Sequence, residues 1–244
     1  MVDAGAARCA MGNHEFNAIA WATADPDHPG EFFRPHGKPG NREQHQAFLS
    51  EVQGTSRHAE IIEWFKTLPL WIDLKAVRIV HACWHLPSMD YLAPLMEPDH
   101  TLTDELVMLG SRQSHPAYAA VEIICKGPEV KLPEGISFRD KEGKARYQVR
   151  VRWWQDDLST YQKAAIGPRD EIAKIPNDPL PPEWRNHPYH GPPVLFGHYW
   201  FTGKPAVISQ RFACLDYSAA REGPLVAYRW DGEPELSSTK LVWI

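Results

Sequence analysis

Met11-Gly12-Asn13-His14-Glu15 closes a short apolar run, Ala7 to Met11, and opens a helical pattern from Glu15 to Ala24. An apolar run that stops at Gly-Asn reads as the end of a buried strand. Two later stretches share the layout. Val77-Arg78-Ile79-Val80-His81-Ala82 and Val194-Leu195-Phe196-Gly197-His198-Tyr199 each run apolar and then present a metal-capable side chain. Strand ends are where rigid elements hand side chains to a cleft. An Asn carbonyl with His nitrogens suits a borderline divalent ion such as Mn²⁺, Fe²⁺ or Zn²⁺. The small residue beside each (Gly12, Ala82, Gly197) lets backbone and ligand approach closely. One His alone says little in a chain with 12. The three stretches together carry the argument.

Working outward, Arg42 to Val52 and His58 to Thr67 read as helices, after a Pro-, Gly- and His-rich loop from Asp25 to Gly40. Leu70 to Leu74 and Val77 to His81 read as a hairpin. Leu86 to Leu95, Thr103 to Gly110 and Pro116 to Lys126 read as helices. Asp140 to Gly143 is a hairpin turn. Arg146 to Trp154 alternates Tyr147, Val149, Val151 and Trp153 with polar residues, which predicts one half-buried strand. Pro193 to Phe196, Ala206 to Ile208, Phe212 to Asp216, Leu225 to Trp230 and Lys240 to Trp243 are further strands. The mixture predicts a layered α/β fold. Residues 1–244 read as a single domain, with 96–190 inserted as a lid.

The 244 residues carry 26 Lys and Arg against 31 Asp and Glu, a net charge of −5. That balance argues against nucleic acid as a partner. No uncharged apolar stretch approaches the ~18 residues of a membrane span, and the first residues have no signal-peptide pattern. Four scattered cysteines without CxxC spacing read as reduced core residues of a cytoplasmic protein. The 22 prolines, spread along the chain, imply many ordered connections.

Gly12-Asn13-His14-Glu15 resembles the GNHE block of calcineurin-like metallophosphoesterases. Val80-His81-Ala82 and Phe196-Gly197-His198 resemble that family's two later His blocks. Cys214-Leu215-Asp216 followed by Gly223 to Trp230 resembles the closing hairpin of its phosphoprotein-phosphatase-like branch, which includes bacterial serine/threonine phosphatases and diadenosine tetraphosphatases. The resemblance implies a four-layer α/β/β/α sandwich, here N-terminally truncated. The DxH and GDxxDRG blocks that precede GNHE in the family are absent. It implies Asn13, His81 and His198 as metal ligands and His14 as the catalytic acid at the leaving oxygen. The implied activity is metal-dependent phosphoester hydrolysis by metal-bound hydroxide, with Mn²⁺ the first choice of metal and Fe²⁺ or Zn²⁺ next. The substrate would be a phosphorylated small molecule, a nucleotide or a phosphoprotein. Family sites hold two metals about 3.5–4 Å apart. The bridging Asp, the dedicated ligands of the first metal and the Asp that orients the catalytic His are missing here. The alternative is therefore a catalytically impaired remnant that binds metal, an anion or a partner chain, including a homodimer through an exposed strand edge.

Other residues have two readings each. His85 either touches phosphate or is a surface or lid-contact residue. Glu15 either orients His14 or caps a helix. Arg150 and Arg152 either clamp an anionic substrate or form a solvated face. Trp153-Trp154, Trp184 and Tyr189 either stack a nucleobase or pack the core and lid. His187-Pro188-Tyr189-His190 reads as lid loop, and Cys83 as a small buried residue rather than a nucleophile.

Overall fold

The computed structural model describes residues 1–140, 143–185 and 188–244. The first half is mostly helical: α1 (Asn13–Ala22), α2 (Pro39–Val52), α3 (Ser56–Lys66), the hairpin β1 (Trp71–Asp73) and β2 (Arg78–Val80), then α4 (Leu86–Leu92), α5 (Asp104–Ser111) and α6 (Pro116–Lys126). α1 starts two residues before the expected Glu15. The reason is local: the Glu15 carboxylate accepts the Gly12 N–H at 3.0 Å and caps the first turn. α2 begins early because Pro39 sits in its first turn, where a missing N–H is harmless. The β1–β2 turn is closed by Asp73, whose Oδ1 accepts the Lys75 N–H at 2.7 Å.

The second half holds β3 (Glu129–Lys131), β4 (Phe138–Arg139), β5 (Ala145–Arg146), β6 (Gln148–Arg150), α7 (Tyr161–Ala164), α8 (Arg169–Ile172), β7 (Val194–Phe196), β8 (Phe212–Cys214), β9 (Val226–Tyr228) and β10 (Leu241–Trp243). The central sheet runs β1-β2-β7-β8. β1 and β2 are antiparallel, whereas β2–β7 and β7–β8 are parallel. The parallel strands are buried on both faces, and side-chain alternation assigns each residue a side. Val80, Val194, Phe196, Phe212 and Cys214 pack against α1, α4, α5 and α6. Val77, Leu195 and Ala213 point the other way, onto Leu236, Tyr228 and Trp230 of the β9–β10 region. The order is thus helices, central sheet, then a small antiparallel hairpin. The protein is mixed α/β with several small open sheets. Among the described residues, no helix is long and apolar enough to cross a membrane.

Within 96–190 two packings coexist. α5 and α6 belong to the main core through Leu106, Val121 and Ile124. Residues 130–180 build a separate core around Val130, Phe138, Val149, Val151, Tyr161, Ile175 and Leu180.

Three expected elements differ. The strand from Arg146 to Trp154 is broken: β5 pairs with β4 and β6 pairs with β3. Tyr147, expected to face inward, is 64% exposed at the break, while Val149 and Val151 are fully buried as expected. Residues 206–208 form no strand, because Ile208 and Ser209 both donate to the Phe212 carbonyl in a turn. Ala7 to Met11 is not part of a sheet; the Met11 N–H donates to Pro69 O at 2.8 Å. Residues 141 and 142 of the expected Asp140–Gly143 turn lie outside the described residues. Its flanks close as a hairpin, Gly143 N to Asp140 O at 2.9 Å.

Candidate metal centre

Parallel neighbours release their chains at one edge. β2 pairs with β7 and β7 with β8, so His81, His198 and Asp216 all emerge at the carboxyl edge of the central sheet. Ligand sites favour that edge in parallel sheets. The Gly197 N–H donates to the His81 carbonyl at 2.9 Å, locking two of the exits together. The N-terminus of α1 brings Asn13 to the same place.

Three donor atoms meet there. His81 Nε2 lies 3.0 Å from Asn13 Oδ1 and 3.2 Å from His198 Nδ1, although these residues are 68 and 117 positions away in sequence. His81 Nε2 carries at most one proton, so one hydrogen bond at most is fully made between three acceptor-capable atoms. Ligand atoms roughly 2.0–2.2 Å from a common ion lie about 3.0–3.4 Å apart, so the spacing fits a cation. His198 Nε2, on the far side of its ring, is buried without a hydrogen-bond partner. Burial, then the charges of Arg150, His81, Lys126 and His14, pull the His198 pKa down to about 2. Burial also lowers that of His81, opposed by Glu15 and Asp216. Both rings therefore stay neutral at neutral pH, the protonation state a ligand needs.

Packing at Gly12 is close. A Cβ there would stand 2.7 Å from Glu15 Oε2 and 2.8 Å from His81 Nδ1 and Cε1. Only glycine lets the turn before Asn13 pass beneath the His81 ring. Gly197 differs: the nearest atoms to an added Cβ are Asp216 Cβ at 3.5 Å and His81 O at 3.7 Å, which is ordinary contact. His198 has φ 73° and Trp200 φ 50°, a left-handed backbone that non-glycine residues seldom adopt.

The proposed acid, His14, is exposed in the first turn of α1. Its ring lies 6.1 Å, edge-on, from that of His45. His45 is 3% exposed. Burial, with the charges of Arg34 and His14, takes its pKa down to about 4. Glu15 is a capping residue, as its bond to Gly12 shows. Arg150 lies close enough to depress the His198 pKa, and its side chain pairs with Glu129 at 3.5 Å. Arg152 is half-buried in the 130–180 lobe. His85 caps α4, accepting from Ser88 N at 3.3 Å, and stacks on Trp184, which packs on the 130–180 core. The Trp153 indole donates to Ala82 O and to Tyr199 Oη, each at 3.0 Å. Trp154 packs on Phe196 and Tyr199, and Tyr189 accepts from Arg78 at 2.8 Å. These aromatics are packing residues. His187 lies outside the described residues, and His190 is exposed. Burial raises the Cys83 thiol well above its ordinary pKa, which makes it a poor nucleophile.

Asp216 is the residue that the sequence did not single out as functional. Its Oδ2 accepts the Trp200 N–H at 3.2 Å and its Oδ1 accepts the Ser218 N–H at 3.0 Å. One carboxylate at the end of β8 thus holds the loop after His198 and the loop after itself. Among the described residues, no group of three or more His, Cys, Asp or Glu side chains is placed to hold a metal. The convergent set has two histidines, and its third donor is the Asn13 amide. No protein-family model matches this chain, and no curated protein does.

Proposed function

We propose that the chain is a metal-dependent phosphoester hydrolase of calcineurin-like metallophosphoesterase type, with a fold derived from the four-layer α/β/β/α sandwich. The helices, the central sheet and the β9–β10 hairpin support three of those layers. The observation that carries the activity is the convergence of Asn13 Oδ1, His81 Nε2 and His198 Nδ1 at 3.0 and 3.2 Å from three distant segments. Asn13, His81 and His198 hold the cation, Mn²⁺ first and Fe²⁺ or Zn²⁺ next. Such an ion supplies Lewis-acid polarisation of a phosphoryl oxygen and lowers the pKa of water. The chain does the rest. His14 stands exposed beside Asn13, where it donates a proton to the departing oxygen. Arg150 and Lys126 act on His198 but are each paired with a carboxylate, Glu129 and Glu122, so the α1 N-terminus is the positive end offered to an anionic phosphorylated substrate. The four cysteines are free thiols, which supports a cytoplasmic setting.

The second reading is an impaired remnant that binds metal, an anion or a partner chain, a homodimer included. It is favoured by residues 7–10. Among the described residues their backbone amides donate no hydrogen bond, which leaves those amides available to a partner chain. The test is Mn²⁺-dependent hydrolysis of an aryl phosphate beside the His14→Ala variant. The hydrolase reading expects turnover that needs Mn²⁺ and is lost in the variant. Mn²⁺ binding with no turnover above the variant hands the case to the remnant.

A further inference from the structure

Trp153 differs from the aromatics packed around it in what its indole N–H holds. That one donor is shared between Ala82 O and Tyr199 Oη, each at 3.0 Å and from segments 71 and 46 positions away in sequence. Ala82 directly follows His81, and Tyr199 directly follows His198. Both residues are buried, so a lost partner is not replaced cheaply by water. The indole ring is wedged against Phe196 and Phe212, with centroids 4.9 and 5.2 Å away. The two residues before it are pinned at the stem of the lobe: the Val151 N–H donates to Pro128 O at 2.9 Å and the Arg152 N–H to Ala164 O at 2.8 Å. The Tyr199 hydroxyl is confined from another side. Gly127, at the end of α6, has φ 81°, and a Cβ there would stand 2.1 Å from Tyr199 Oη.

We propose that Trp153 is a positioning residue of the metal centre: its two hydrogen bonds fix the chain after His81 against the chain after His198, and so set the spacing of the two histidine donors. The proposal rests on the reading of Asn13, His81 and His198 as metal ligands. The bond from the Gly197 N–H to His81 O, at 2.9 Å, joins the two exits at one point. Chains joined at one point can still pivot about it. The indole adds a second link, through the residue that follows each histidine, and the pivot is lost. The same link bears on strain. His198 is held at φ 73°, a conformation that persists only where neighbours over-determine it. Trp153 anchors Tyr199 by its hydroxyl, and Asp216 anchors Trp200 by its amide at 3.2 Å. The two residues after His198 are thus fixed from two different elements. Donors held 3.2 Å apart before a cation arrives need little reordering to bind it.

The test titrates Mn²⁺ into the full chain and its Trp153→Phe variant, and records the visible spectrum of each loaded with Co²⁺. Phe keeps a ring against Phe196 and Phe212 but has no N–H. Mn²⁺ affinity should fall about tenfold, the low end of the loss for groups that orient ligands, and the Co²⁺ bands should shift with the ligand geometry. Trp154→Phe makes the same change one residue along, among Phe196, Tyr199 and Phe201, and leaves both hydrogen bonds in place. Its affinity should stay within about twofold of the parent's. Tyr199→Phe removes one acceptor and should lose less than Trp153→Phe. Combining the two should cost less than their sum, because both break the same link. Parent-like affinity in Trp153→Phe, or in Tyr199→Phe should the first variant not fold, overturns the positioning role and leaves the ligand reading intact. An equal loss in Trp154→Phe also overturns it, since general loosening of the aromatic cluster would then be the cause. A parent protein that binds neither ion overturns the ligand reading, and the positioning role with it.

Discussion

The carboxyl edge of the central sheet and the lobe at residues 130–180 are built on opposite plans. The edge joins residues 68 and 117 positions apart, keeps a His198 nitrogen buried without a partner and holds His198 and Trp200 at positive φ. The lobe joins near neighbours around an apolar core with Val149, Val151 and Leu180 fully buried. Its charged pairs, such as Arg146 with Asp140 at 2.7 Å, lie at the surface. Strain and unmet polar groups are tolerated where the surrounding structure over-determines them, and they cluster at functional sites. Among the described residues, the lobe core shows neither feature, which fits a region built around apolar packing.

Four substitutions break or sharpen that contrast. The largest effect is expected of Gly12→Ala, whose new methyl would displace Glu15 or His81. Mn²⁺ affinity, measured by titration, should fall on the order of 100-fold, matching or exceeding the loss typical of disturbed ligand orientation. Undiminished affinity would show that the edge is not a metal centre. Leu180→Ala in the lobe should lower unfolding free energy by about 2–5 kcal/mol, as for other fully buried leucines. Mn²⁺ affinity of the folded variant should stay within about twofold, because separated sites behave additively. A large change in affinity would mean that lobe and edge are one unit.

The third prediction concerns pH. The folded-state pKa of His45 is depressed from 6.5 to about 4. The unfolded chain therefore binds the proton first as pH falls. Stability from this group is complete above pH 6.5 and is lost between pH 6.5 and 4, by about 3 kcal/mol if no other group responds. His45→Phe should flatten that part of the profile in urea denaturation at stepped pH. A parallel profile would assign the loss to other histidines. The smallest effect is expected of Gly197→Ala, which finds only ordinary contacts at 3.5 and 3.7 Å. Its melting temperature and Mn²⁺ affinity should stay near the parent's, in contrast to Gly12→Ala.

Much of the fold is legible in the sequence because periodicity is a local property. Pro116 to Lys126, the β1–β2 hairpin and the apolar runs ending at His81 and His198 all declare themselves within a dozen residues. The break at Tyr147 does not, since alternation continues through it and only the choice of partner strands ends β5 and begins β6. His81 and His198 stand out as strand-end residues and Asn13 as the residue where an apolar run gives way to a helix, and the structure brings their donor atoms together. The role of Asp216 was hidden for the opposite reason. A single Asp after an apolar run carries no signal until the loop bearing Trp200 is folded against it. Glu15 was ambiguous because capping and orienting a neighbour require the same residue type at the same place.

The separation of 117 residues between His81 and His198 also has a temporal side. Closing a flexible loop of that length costs about 4 kcal/mol of chain entropy, and contacts so distant form late. A nascent chain has no complete donor set until residue 198 has left the ribosome and β7 has docked beside β2. If the self-contained lobe folds first, it shortens the free chain between the two histidines. The proposed metal centre would have its donor set before β8, β9 and β10 are made, so a cation captured there would report the docking of β7 and not completion of the fold.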